Sequence, residues 1–172
     1  MQNTKNANVI ADMVKGALAG AIGVWALDQV TWAMWNREDP EALDQERQAR
    51  PGGLDPAHVM ANRAAHALGM ELTPKQPNAA GMVIHYSLGV VPGAIYGALR
   101  HEVDGLDIGR GALFGLGLGI LQDQLVNSMI GTSGAPTEYP PEAHIRGLVG
   151  HVVYGLVMDM ALEMLDRVAL AE

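Results

Sequence analysis

At 172 residues, with 49% hydrophobic side chains and no cysteine, the chain has room for one domain and none for disulfides, thiolate metal sites or a cysteine nucleophile. Its formal charge of −8 argues against a nucleic-acid partner, because phosphate binding needs a basic surface. The mean hydropathy of +0.10 is low for a membrane protein, but it averages strongly apolar blocks with charged connections.

The amino end, MQNTKNANVIADMVKG, lacks the basic segment, short apolar run and cleavage site of a secretory signal, so the first helix is expected to stay in the mature protein. Gly16 to Trp35, within a span of about 12–36, has one formal charge, Asp28, and is long enough to cross roughly 30 Å of hydrocarbon. Residues 37–77 form the only long connection. In it, Asp55 and Pro56 read as an N-cap and first-turn proline, and Gly69 as a terminator, so a short helix near 56–68 is expected. Its faces are mixed, which predicts an interfacial helix on the membrane; His58 and His66 are eight apart, near one face, and by themselves suggest little metal chemistry.

Asn78 to Leu99, in a span of about 78–100, has no formal charge and one histidine, His85. Gly111 to Gly131, about 109–131, has only Asp123. Gly147 to Leu162, about 144–166, is interrupted by Asp159. A soluble four-helix bundle would carry several charges on each outer face, and these segments do not. The expected fold is therefore all-α: an integral membrane bundle of four transmembrane helices, with a short interfacial helix in the first connection. Lys and Arg are nearly balanced between the two sides, Lys5 and Lys75 among them. The absence of both from 132–145 tips the termini toward the cytoplasm.

GALAGAIGVWALDQV at 16–30 matches GALFGLGLGILQDQL at 111–125, with Asp28 and Asp123 in equivalent places. GVVPGAIYG at 89–97 matches GLVGHVVYG at 147–155 more loosely. The spans thus read as two parallel helix pairs related by an axis along the membrane normal. Small residues four apart let membrane helices approach closely. Such stripes run through Gly16 and Gly20, through Gly89, Gly93 and Gly97, through Gly111, Gly115 and Gly119, and through Gly147 and Gly155. Bulky residues at Gly89, Gly93, Gly115 or Gly155 should disrupt the bundle, whereas Leu118 reads as lipid-facing.

Each glycine stripe also carries an ionisable residue: Asp28, His85, Asp123 and His151. Counting along the helices puts all four at roughly 10 Å below one membrane face, as one layer related by the repeat. Asp159 lies at a deeper level, and Gln29, Gln122, Gln124 and Asn127 could supply supporting hydrogen bonds.

The stretches GMVIHYSLGVVPGAIYGALR and EYPPEAHIRGLVGHVVYGLVMD resemble the YagU-like group of small bacterial inner-membrane proteins. The matching pieces are His85, Gly93 to Gly97, Tyr139 to Pro141, and His151 to Gly155; the connection before residue 78 has no counterpart there. The resemblance implies a multi-span protein of the bacterial inner membrane, without an established reaction.

Charges in hydrocarbon persist when paired, hydrated or ligating. Three readings of the Asp/His layer follow: a structural network that fixes helix register; a transition-metal site of Asp28, His85, Asp123 and His151, or a haem held by His85 and His151; and a proton or cation relay. No Gly-x-Ser-x-Gly elbow, phosphate loop or His-Glu-x-x-His pair is present, so enzymatic activity is not expected. Trp35 reads as an interfacial anchor. The partners expected are lipids and other membrane subunits or a second copy, in an accessory or assembly role, with metal or haem binding or a relay as the alternative.

Overall fold

The computed structural model describes residues 2–72 and 78–169, with side chains from residue 9 onward; Lys75 and the Lys5 side chain lie outside the described residues. The described residues form helices and turns, with no strand among them. In chain order they are α1 (Gln2–Trp35), α2 (Pro40–Ala49), α3 (Pro56–Ala67), α4 (Ala79–Leu99), α5 (Ala112–Gly119), α6 (Asn127–Met129) and α7 (Pro141–Ala169). A π-helical segment, Ile120–Val126, joins α5 to α6, so residues 112–129 form one helical run with a widened turn in its second half.

Local chemistry sets the helix starts. Asp39 and Asp55 accept from the backbone N–H groups of Glu41 and His58, each with proline in the first turn, and Asn78 accepts from Gly81. The short helix of the connection thus begins where the Asp-Pro pair predicts, and Gly69, at φ +71°, follows its end.

Three helical stretches are long and apolar enough to cross a membrane: Val9–Trp35, Ala79–Leu99 and Pro141–Ala169. The sequence predicts four, and the difference lies in the run from 112 to 129. There the π segment divides the expected span into shorter pieces.

Packing follows the glycines. α1 lies on α4 with backbone against backbone: a side chain on Gly16 or Gly20 would collide with the Gly93 or Gly89 carbonyl, and one on Gly97 with the Asp12 carbonyl. The 112–129 run lies on α7 in the same way, through Gly111 and Gly115 against Gly155 and the His151 carbonyl. The two pairs use the same kind of contact, one helical turn out of register with each other: Gly16 meets Gly93, whereas Gly111 meets Gly155 and not His151. α1 also packs on α7, where the Tyr154 ring fills the space over Gly23, and Leu27 and Thr31 fill the space over Gly150. Tyr96, Tyr154, Met158 and Leu162 form the fully buried centre. Leu118 packs against that centre and faces inward, contrary to its lipid-facing expectation; the outward position is Gly117, which has open space beside it.

The connection is docked on the bundle instead of lying on a surface with mixed faces. α3 packs on α4 with Ala57, His58, Val59, Ala61 and Ala65 buried, while His66 is exposed. Hence the two connection histidines do not share one environment. Arg63 reaches the other way and donates to the carbonyls of Ile130 and Gly131, both at 2.6 Å, satisfying groups at the end of the 112–129 run. α2 is held by Arg146 of α7, which pairs with Glu38 and, at 2.5 Å, with Glu46, itself only 3% exposed. The Arg146 guanidinium lies 4.8 Å from the Trp35 ring centre, and Arg50 lies 5.3 Å from it. Trp35 is therefore the hub of a cation–π cluster at the end of α1.

Two expectations can be measured. Gly20→Leu or Gly115→Leu should destabilise the protein by about 3 kcal/mol or abolish the folded state, because the obstructing atoms are backbone, whereas Gly117→Leu should leave the melting temperature near wild type. Arg146→Met takes from Glu38 its cation and from Glu46 one of its two, the other being Arg50 at 2.6 Å, and should cost about 3 kcal/mol in thermal denaturation. Adding Glu38→Gln and Glu46→Gln should recover a large part of that loss.

Candidate functional site

A cavity of about 520 Å³ opens between the helices on the side of the connection. Its polar wall includes Asp28 of α1, His85 of α4, Asp123 of the π segment and His151 of α7. All four residues of the expected layer therefore border one space. Leu27, Leu88 and Leu118 supply apolar wall, and Tyr154 also borders the space, its hydroxyl donating to the Gly89 carbonyl at 2.6 Å.

The four residues stand as two Asp/His pairs, and the pairs are built differently. His85 Nε2 donates to Asp28 Oδ1 at 2.8 Å, a short bond across α1 and α4. His151 Nδ1 instead donates to the carbonyl of Gly147 in its own helix, at 3.0 Å, and lies 3.5 Å from Asp123 Oδ2. Asp123 receives one further long contact, 3.5 Å from the Asn127 amide. The histidines also differ in register. Aligning Tyr96 with Tyr154 makes Asp28 and Asp123 equivalent partners of the repeat, but places His85 opposite Ala143 and His151 opposite Gly93. The layer is thus related by the repeat through its aspartates alone. His151 fits because its ring occupies the space beside Gly119, one turn from Asp123.

This geometry corrects the four-ligand metal expectation. Among the described residues, no three His, Asp or Glu side chains converge as a metal sphere would require. Each histidine is spent within its own half of the molecule, so the set does not close on one point.

The supporting residues divide. Gln122 and Gln124 border the cavity, and Asn127, 2% exposed, braces Asp123 while accepting from the Thr132 hydroxyl at 3.2 Å. Gln29 is exposed and does not border the cavity, because it follows Asp28 by one residue and so turns off the packed face. Asp159 lies elsewhere, buried at 5% exposure, accepting from the Tyr96 hydroxyl at 2.8 Å with Arg100 at 3.7 Å.

Two features of the site lie beyond the sequence reading. His58, 3% exposed, borders the cavity from α3, and its ring fills the space over Gly81. The Asn78 N–H donates to its Nε2 at 3.1 Å, so Nδ1 carries the proton and donates to Asp55 at 2.9 Å. The rim is the second: Glu46, Arg50 and Arg146 border the mouth with Tyr139, whose phenol burial pushes above its ordinary range. The available signals were the Asp-Pro-x-His spacing at 55–58 and an arginine next to the apolar start of the last span.

No curated protein and no solved structure matches this chain. Residues 60–160 match the family described as "Protein of unknown function (DUF1440)", a match that takes in α4, the 112–129 run and the cavity-facing part of α7, and the chain belongs to that family.

Proposed function

We propose that the protein is a multi-pass membrane protein that binds a small ligand in this cavity and exchanges protons with it through its Asp/His pairs. The observation that carries this reading is the placement of Asp28, His85, Asp123 and His151, from four different helical segments, on the wall of one 520 Å³ space. An Asp/His pair is suited to gain and lose a proton near neutrality, and a low-dielectric setting strengthens its hold on a polar ligand. The lining joins a charged rim of Glu46, Arg50 and Arg146 to the apolar Leu88 and Leu118, a mixture that suits a bound ligand.

The accessory role draws less support. Such a role needs free contact surfaces, and the glycine faces and the long connection are both engaged inside the chain. The proposal includes the 112–129 run as a fourth crossing, a YagU-like kinship on the motifs around His85 and His151, and residence in the bacterial inner membrane with both termini cytoplasmic. The apolar outward residues Leu113, Ile120 and Leu121 support the fourth crossing, and the lack of Lys or Arg in 132–145 supports the orientation.

Trp32 and Trp35 border the cavity and serve as reporters. With Trp25→Phe as background, tryptophan emission in lipid nanodiscs should change reversibly with pH, from imidazolium quenching. His85→Gln with His151→Gln should remove that change while the melting temperature stays measurable. A titration unchanged by the double substitution would rule out the Asp/His pairs as the exchanging groups.

A further inference from the structure

Both helix pairs pack backbone on backbone through glycine, one turn out of register with each other, but the pairs meet on one side only. An axis that exchanges α1 with the 112–129 run also exchanges α4 with α7. Close packing of α1 on α7 should therefore have a counterpart between the 112–129 run and α4. That counterpart is missing: α1 packs along α7, whereas α4 and the run have no comparable contact.

The residues account for the difference. The closed seam relies on Gly23, which receives the Tyr154 ring, and on Gly150, which receives Leu27 and Thr31. At the equivalent places the other seam has Leu118 and Pro92. An isobutyl side chain and a pyrrolidine ring stand where close approach needs two hydrogens. The run is further altered by its π segment, which straight α1 lacks, and such turns recur at functional sites. At one end of the open seam Tyr96 and Phe114 close the gap, with ring centres 4.9 Å apart. At the other end α3 bridges it, seated on α4 through His58 and bonded to Ile130 and Gly131 through Arg63. Between these two closures lies the cavity.

We propose that this seam is a lateral port through which an amphiphile bearing a protonated amine passes from the bilayer, placing its ammonium on Asp123 and its alkyl chain along Leu88 and Leu118. The inference rests on the cavity being a ligand site, as proposed above. The two elements that flank the seam expose apolar side chains, Met82 and Val83 on α4 and Leu121 and Leu125 on the run, and Met82 borders the cavity itself. They suit a solute arriving from lipid. The charge follows from what is occupied. Arg50 and Arg146 at the mouth are paired with glutamates, and Arg63 is spent on carbonyls, so none of these offers its charge to an anion. Asp28 is held at 2.8 Å by His85, whereas Asp123 has only contacts of 3.5 Å and keeps a 36% exposed side chain. The loosely held carboxylate is the one on the run, where it borders the cavity.

The test uses the full chain in phosphatidylcholine nanodiscs, with dodecylamine as probe and N-dodecylacetamide and dodecanoate as neutral and anionic controls. Dodecylamine should raise the melting temperature saturably, as a ligand of the folded state does, and the controls should not. Asp123→Asn should weaken that effect about tenfold or more, the loss expected for one charge-assisted contact, and Asp28→Asn should weaken it less. Since the chain has no cysteine, Leu118→Cys gives a single label site, with Leu88→Cys as the alternative if the first fails to fold. A bilayer-dissolved pyrene maleimide should label it faster than a charged aqueous thiol reagent, and dodecylamine should protect it. Equal effects of amine and acetamide, an amine effect that survives Asp123→Asn, or labelling from water alone would overturn the port. Loss of the amine effect alongside an intact tryptophan titration would remove the amine while leaving the proton-exchanging pairs in place.

Discussion

Contact between bare backbones is the constraint on which this structure depends. Lipid is as apolar as leucine, so apolar side chains give membrane helices little reason to prefer one another, and association must come from close packing and polar bonds. Here glycines at Gly16, Gly20, Gly93 and Gly97, and again at Gly111, Gly115 and Gly155, let helix axes approach until carbonyls fill the space of missing side chains. That approach is what brings Asp28 within hydrogen-bond distance of His85, since neither side chain could span a gap set by leucines. The polar pairs follow from the glycine packing, and once made they fix its register.

Glycine packing is local and periodic, which is why much of it was legible in the sequence. Stripes four residues apart identified the buried faces of all four apolar segments, and the ionisable residues on those faces proved to border one cavity. The pairing pattern was less legible. Depth counting assumes ideal helices, and it has no means of anticipating a π turn at Ile120–Val126 or the donation of His151 to its own helix. The rim was hidden for another reason: Arg146 lies 100 residues from Glu46, and no local pattern joins an arginine to a partner that far along the chain. Pro92 and Leu118 were in plain view, yet they gain meaning only beside Gly150 and Gly23.

A duplicated pair of helices has two ways to use its symmetry. It can keep both seams equivalent and gain stability, or let one diverge. In this chain one seam has glycines where the other has Leu118 and Pro92, and the two aspartates differ as well, one held short by a histidine and one held long. Stability and opening are thereby assigned to different copies of the same element.

α3 joins the two ends of the open seam, yet it belongs to the connection outside the apolar segments. Its hold on the 112–129 run consists of two charged donors on backbone carbonyls, a kind of bond that dissolved ions and water compete for. Its hold on α4 is the steric seat of His58 over Gly81, which they affect far less. The strap is therefore firm at one end and exchangeable at the other, so that the composition of the neighbouring aqueous phase acts on its hold over the run and leaves its seat on α4 in place.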